Sequence, residues 1–212
     1  MIYCDIHTHQ AKPASEHIRI ISKTVDTRHS FCFLPGCYYS YGIHPWHIEH
    51  KEQQLMLLTE ALFDPSVIAL GEAGLDKSID APLSLQTEVF TEQVKLSEAF
   101  RKPLVIHCVK AWDELLAVKK DLNPQMPWVI HGFRGNDILA EQLIRKGLYL
   151  SFGMKFNPKA LRIAWPDYVL PETDEADIAI EEVYADIANA LDMSIDLLAL
   201  TLRKNVKAVF SV

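Results

Sequence analysis

The chain has 212 residues, 49% of them hydrophobic and 23% charged, with a formal net charge of -7 at pH 7. That apolar share fits one globular domain over 1–212 with a sizeable core and excludes a disordered chain. The acidic balance excludes a protein that coats nucleic acid through a broad basic surface, though not an enzyme that meets phosphate locally. No run approaches the ~18 apolar residues of a membrane helix. The start lacks the basic-then-apolar layout of a signal peptide. Cys4, Cys32, Cys37 and Cys108 are scattered without CxxC spacing, and read as reduced thiols. A cytoplasmic protein with no membrane partner is the expectation.

In chain order, the first expected element is a strand over Ile2–His7, running into DIHTH. Side chains alternate along a strand, so His7 and His9 stand side by side with Asp5 one step behind. Two adjacent imidazoles suit a divalent metal, although HxH alone is a weak signal and reads first as a half-buried structural pair. A weak strand over Ile18–Ser22 follows, then Cys37–Ile43 leading to His44 and His47. A helix over Gln53–Phe63 carries Leu55, Leu58 and Leu62 on one face and stops at Asp64-Pro65. Val67–Gly71 leads to Glu72, and a helix over Ser84–Phe100 follows. Next come a strand over Pro103–His107, a helix over Asp113–Leu122 and a strand over Trp128–His131. A helix over Ile138–Lys146 lies between Asn136 as N-cap and Gly147 as stop. Strands over Leu148–Phe152 and Tyr168–Pro171 come next, the second leading into Glu172-Thr173-Asp174. Helices over Glu175–Leu191 and Ile195–Phe210 end the series, the latter capped by Ser194.

Strands alternating with helices imply a parallel sheet, and about eight such strands imply a (β/α)8 TIM-type barrel. Only about ten residues separate the first two strands, too few for a crossover helix, so the early β/α units are expected to be trimmed. Polar residues at strand ends would then share the C-terminal rim. Singly, Glu72 or Asp174 is also a plausible helix cap, and His107 or His131 a satisfied core histidine. One metal centre accounts for His7, His9, Glu72, His107, His131 and Asp174 together. Four imidazoles and two carboxylates exceed one tetrahedral ion. Two divalent ions sharing a carboxylate fit better, and such sites suit in-line attack at phosphorus. Zn, Mn, Fe, Co and Ni fit these donors, whereas Mg suits a histidine-rich set poorly.

The ordered motifs DxHxH, GIHP, GExGLD, an apolar run ending in IH, HGFxG, LYLSFG and ETD resemble the TatD-type metal-dependent hydrolases, the TatD-related deoxyribonucleases. Residues 86–107 and 202–210 are also similar to that family's segments. The resemblance implies a barrel of the metallo-dependent hydrolase kind, in a short variant, and a deoxyribonuclease. It implies that His7 and His9 hold one metal with Glu72 and Asp174. Glu72 then bridges to a second metal completed by His107 and His131. Asp174 becomes the base for a metal-activated water. His44 resembles a substrate or outer residue, and Asp5 and Asp76 are placed to orient ligand histidines.

The chain also departs from the family pattern. Val109 stands where an Arg is common, with Lys110 beside it, and a Lys is a point charge rather than a fork for phosphate. Lys77 replaces an aromatic residue, and ETD is expected to run directly into an acidic helix with its loop missing or much shortened, Glu175 and Asp177 repelling a polyanion. The expectation is therefore a phosphoester hydrolase, acting on DNA ends or on small phosphate esters, with weak binding of long DNA. The alternatives are a small-molecule phosphoesterase of PHP-like activity and a non-catalytic metal-binding barrel. A two-metal amidohydrolase would bridge its metals with a carboxylated Lys, whereas the bridge position here offers Glu72. Oligomeric state stays open.

Overall fold

The computed structural model describes residues 1–10, 16–27 and 32–212. Its strands are β1 (Cys4–Thr8), β2 (Ile18–Thr24), β3 (Tyr38–Gly42), β4 (Val67–Asp76), β5 (Leu104–Val109), β6 (Trp128–Ile130), β7 (Leu148–Phe152) and β8 (Val169–Pro171). Its helices are α1 (Lys51–Ala61), α2 (Leu83–Phe100), α3 (Trp112–Leu122), α4 (Asp137–Ile144), α5 (Pro158–Ala164), α6 (Ile180–Leu191) and α7 (Ile195–Phe210). The sheet order is the chain order, β1 to β8, and Thr8 bridges in parallel to Asp174 just beyond β8. This is the strand order of a (β/α)8 barrel. Among the described residues of 9–17 and 25–37 there is no helix, so the first two β/α units are short. No helix is long and apolar enough to cross a membrane.

The chain divides into two compact units, one of Met1–Ile21, Pro35–Tyr38 and Val129–Val212, the other of Ser22–Leu34 and Tyr39–Trp128. In the first, β1 pairs with β2 through Cys4↔Ile18 and Asp5↔Arg19, and β7 with β8 through Leu150↔Val169 and Phe152↔Pro171. Every residue of β1 is buried, as expected of a parallel strand covered on both faces. The Cys4 N–H donates to the Tyr184 hydroxyl at 3.0 Å, tying α6 to β1.

In the second unit, β3 pairs with β4 through Tyr39↔Val67, and β4 with β5 through Leu70↔Leu104 and Gly74↔His107. Strand β4 runs to Asp76 rather than ending at Gly71, so Glu72 lies inside a strand. Gly74 allows this close pass: its φ is +149°, and a Cβ there would strike the backbone carbonyl of His107. Helix α2 turns Gln86, Val89, Phe90, Gln93, Val94 and Ser97 inward at helical spacing. Its two buried glutamines clasp backbone. Gln93 accepts from the Ile43 N–H at 2.7 Å and donates to the Ile43 carbonyl at 3.0 Å. Gln86 does the same at Asp76, with distances of 2.7 and 3.0 Å.

Two helices differ from expectation. The final acidic helix does not begin at Glu175: residues 175–179 form a loop and α6 starts at Ile180. The Glu182 carboxylate accepts from the Ala179 N–H at 3.1 Å and fixes that start. Asp174 therefore caps no helix, and ETD is followed by a loop. Helix α5 was not anticipated. Its signal is short, an Asn157 cap accepting from the Lys159 N–H with a proline in the first turn.

Candidate metal centre

In the first unit, β1 delivers His7, the residue just past its end is His9, the turn after β6 delivers His131, and the exit of β8 delivers Asp174. The Asp174 N–H donates to the His7 carbonyl at 2.9 Å, and the His9 N–H donates to the Asp174 carbonyl at 3.1 Å. This backbone exchange aims the carboxylate between the imidazoles: Asp174 Oδ1 lies 3.6 Å from His7 Nε2 and 3.7 Å from His9 Nε2. The His7 and His131 rings are 4.4 Å apart. His7, His131 and Asp174 each offer a donor atom, all within 4.8 Å of one another. Asp5, expected to orient a histidine, instead accepts from the Thr173 N–H at 3.0 Å and the Thr173 hydroxyl at 2.7 Å. It thus pins the residue before Asp174 to β1. Burial pushes the Asp5 carboxyl up to about 6.

Glu172, to which the sequence assigned no role, is buried. It accepts from the Gly132 N–H at 2.6 Å and from the Ser151 hydroxyl at 2.6 Å, steadying the backbone next to His131. Burial pushes its carboxyl up, opposed by the nearby His131 and His7. A cavity of about 210 Å³ opens here, lined by Gly132, Arg134, Lys155, Glu172 and Asp174 among others. It presents two cations beside the Asp174 carboxylate.

In the second unit, Glu72 Oε2 lies 3.7 Å from His44 Nε2 and 3.9 Å from His107 Nδ1. These three residues offer donors within 4.8 Å of one another. The Ser22 hydroxyl donates to Glu72 Oε1 at 3.3 Å. Asp76 Oδ2 lies 3.2 Å from His107 Nε2. A carboxylate on one ring nitrogen leaves the other as a metal donor, the usual way a ligating histidine is oriented. Asp76 also accepts from the Trp46 indole N–H at 2.8 Å and the Ser78 N–H at 2.8 Å. Burial raises its carboxyl, but the hydrogen bonds from Ser78, Trp46 and His107 prevail and hold it at about 2. His44, expected outside the ligand set, stands within this cluster. Lys110 is exposed just beyond β5, with φ +56°.

Both clusters pass a donor-chemistry test. Each combines imidazole with carboxylate at separations a first-row divalent ion spans, since ligands at ~2.0–2.2 Å from an ion lie some 3–4 Å apart. Trp46, Gln86, Gln93, Glu172 and Thr173 are the supporting residues sequence reasoning missed. The buried glutamines within α2 were the one legible hint, because a glutamine on an apolar helical face needs partners.

A barrel carrying these histidine–carboxylate clusters has donor sets that could hold divalent metal. A family model described as TatD related DNase matches residues 20–211, and the chain belongs to that family. It is 32% identical over 123 residues to the 3'-5' ssDNA/RNA exonuclease TatD of Cronobacter turicensis, covering 54% of this chain and 45% of that protein. It is 29% identical over 151 residues to an uncharacterized metal-dependent hydrolase of Buchnera aphidicola, covering 66% of this chain and 57% of that protein. The matched stretches thus span about half the length of these relatives. The crystal structure of YjjV, a TatD homolog from Escherichia coli, superposes with a TM-score of 0.83 at 22% identity, over 99% of this chain and 98% of that one.

Proposed function

We propose that this chain is a divalent-metal-dependent nuclease that hydrolyses phosphodiester bonds in single-stranded nucleic acid, DNA by family resemblance. The observation that carries this reading is the Asp174 carboxylate, held 3.6 and 3.7 Å from His7 and His9 by backbone hydrogen bonds. In it His7, His9, Glu72, His107, His131 and Asp174 would hold two divalent cations, Glu72 serving both, and the native metal would be one of Zn, Mn, Fe, Co or Ni. Such cations supply Lewis acidity, which acidifies water and offsets charge developing on phosphate oxygens.

The chain's own residues do the rest. Asp174 takes the proton of the attacking water as its oxygen bonds to phosphorus; the P–O ester bond breaks, and the leaving oxygen picks up a proton and departs as a hydroxyl. Its two backbone anchors keep the carboxylate aimed without loss of freedom at that moment. Asp76 holds the His107 ring, and Glu172 holds the backbone after His131. Arg134 and Lys155, lining the same cavity as Asp174, attract the phosphate. The terminal position of the cleaved bond and a cytoplasmic setting belong to the same reading.

The test is hydrolysis of a labelled single-stranded oligonucleotide, a generic phosphodiester and a phosphomonoester by protein purified gently, then stripped with chelator and reloaded. Expected is cleavage of both diesters, lost on chelation and restored by Mn or Zn. Chelator-resistant cleavage, or turnover of the monoester alone, contradicts the reading.

A further inference from the structure

Trp46 is 54% exposed and lies against the second unit's cluster. Exposure alone is ordinary, since Phe63, Ile138 and Leu200 are more exposed still; what sets Trp46 apart is what it touches. The ring is not loose. Its indole N–H donates to Asp76 Oδ2 at 2.8 Å, and its backbone N–H donates to His44 Nδ1 at 3.2 Å. The acceptor, Asp76, is itself buried. Trp46 meets His44 at 5.0 Å and 86°, and His107 at 6.0 Å and 78°. Both are edge-to-face contacts, so neither imidazole stacks on the indole. The result is a rigid aromatic surface, fixed by its single polar atom and placed against two candidate metal-binding histidines.

We infer that Trp46 is a stacking platform for the nucleobase next to the phosphate being cleaved. This rests on the nuclease reading and gives it a substrate class: a chain with bases, as against a small phosphate ester. A phosphate drawn to a cation held by His44, Glu72 and His107 would carry its base within one sugar's reach of the indole. Every base has a π-face, so a stacking site tolerates all sequences, and one aromatic residue contributes strongly to single-strand binding. The indole is already immobilised, so stacking costs little additional side-chain freedom.

The competing role is structural, with Trp46 serving only to hold Asp76. Two variants separate the roles. Trp46→Ala removes both ring and hydrogen bond, whereas Trp46→Phe keeps an aromatic face and loses the hydrogen bond. Substrates are a single-stranded oligothymidylate and the same strand with base-free sugars at its cleaved end. Metal-loaded protein gives the ratio of kcat/KM for the two, and metal-stripped protein gives the ratio of Kd by fluorescence anisotropy. The wild-type chain is expected to favour the base-bearing strand by ~10-fold. Trp46→Ala should bring both ratios close to one, and Trp46→Phe should retain most of the preference. A preference that survives Trp46→Ala overturns the inference, as does an equal loss in both variants. If the wild-type chain cleaves neither strand, the nuclease reading fails, and the Kd ratio still decides the platform.

Discussion

Asp174 shows how much one residue can be asked to do. It sits at φ +55°, a left-handed position that Asp tolerates better than most side chains. From there its N–H bonds to His7 in β1 and its carbonyl to His9 just beyond, while its carboxylate faces both imidazoles. Asp174→Asn keeps the size and the backbone bonds but removes the base. Turnover should fall by roughly two to four powers of ten, the worth of a positioned general base. Metal content, measured beside the rate, should show at least one ion retained. Asp5 gives a prediction on stability. Its folded carboxyl is raised to about 6 from 3.8. The folded state therefore keeps a proton that the unfolded chain releases, so stability declines as pH rises from about 4 to about 6. Asp5→Asn still accepts from the Thr173 N–H and should flatten that slope. Urea midpoints of metal-stripped protein across this range check it. The metal-competent residue types were legible because few side chains carry that chemistry. Thr173 and Glu172 were not, because their roles are geometric and depend on which backbone they reach.

At the level of elements, β4 and α2 build the frame of the second cluster. Gln93 satisfies both polar groups of Ile43, the residue before His44. Gln93→Leu orphans a buried donor and a buried acceptor, and should cost about 2–4 kcal/mol. Denaturant unfolding reads the loss, and metal affinity should weaken with it. Gly74→Ala should be worse, since its Cβ meets the His107 backbone rather than a flexible side chain. The continuous apolar runs of β5 and β7 made those strands readable. The length of β4 was not, because GEAGLD lacks an apolar run and extends only through its pairing with β5. The start of α6 was misread for a related reason. EADIA has the composition of a helix, yet the capping contact from Glu182 to Ala179 sets the start five residues later than Glu175.

For the molecule as a whole, a net charge of -7 would oppose the binding of a polyanion such as the proposed substrate. Attraction must come from local cations such as Arg134 and Lys155. For single strands the salt slope of log K is ~-0.7 per phosphate contact, so these two together should contribute ~-1.4. Arg134→Ala or Lys155→Ala should each make the slope shallower by ~0.7, read by anisotropy across a salt series. A slope unmoved by either change would place the phosphate elsewhere. The barrel was legible at this scale because the alternation of element types and the order of motifs are both linear properties of the chain. In the proposed nuclease, six side chains would hold two cations, with Glu72 serving both. The direct measurement is equilibrium metal binding per chain for the wild type and for Glu72→Gln. Two ions per wild-type chain, with both affinities falling together in the variant, is the predicted result. Two tightly held ions in Glu72→Gln would contradict it.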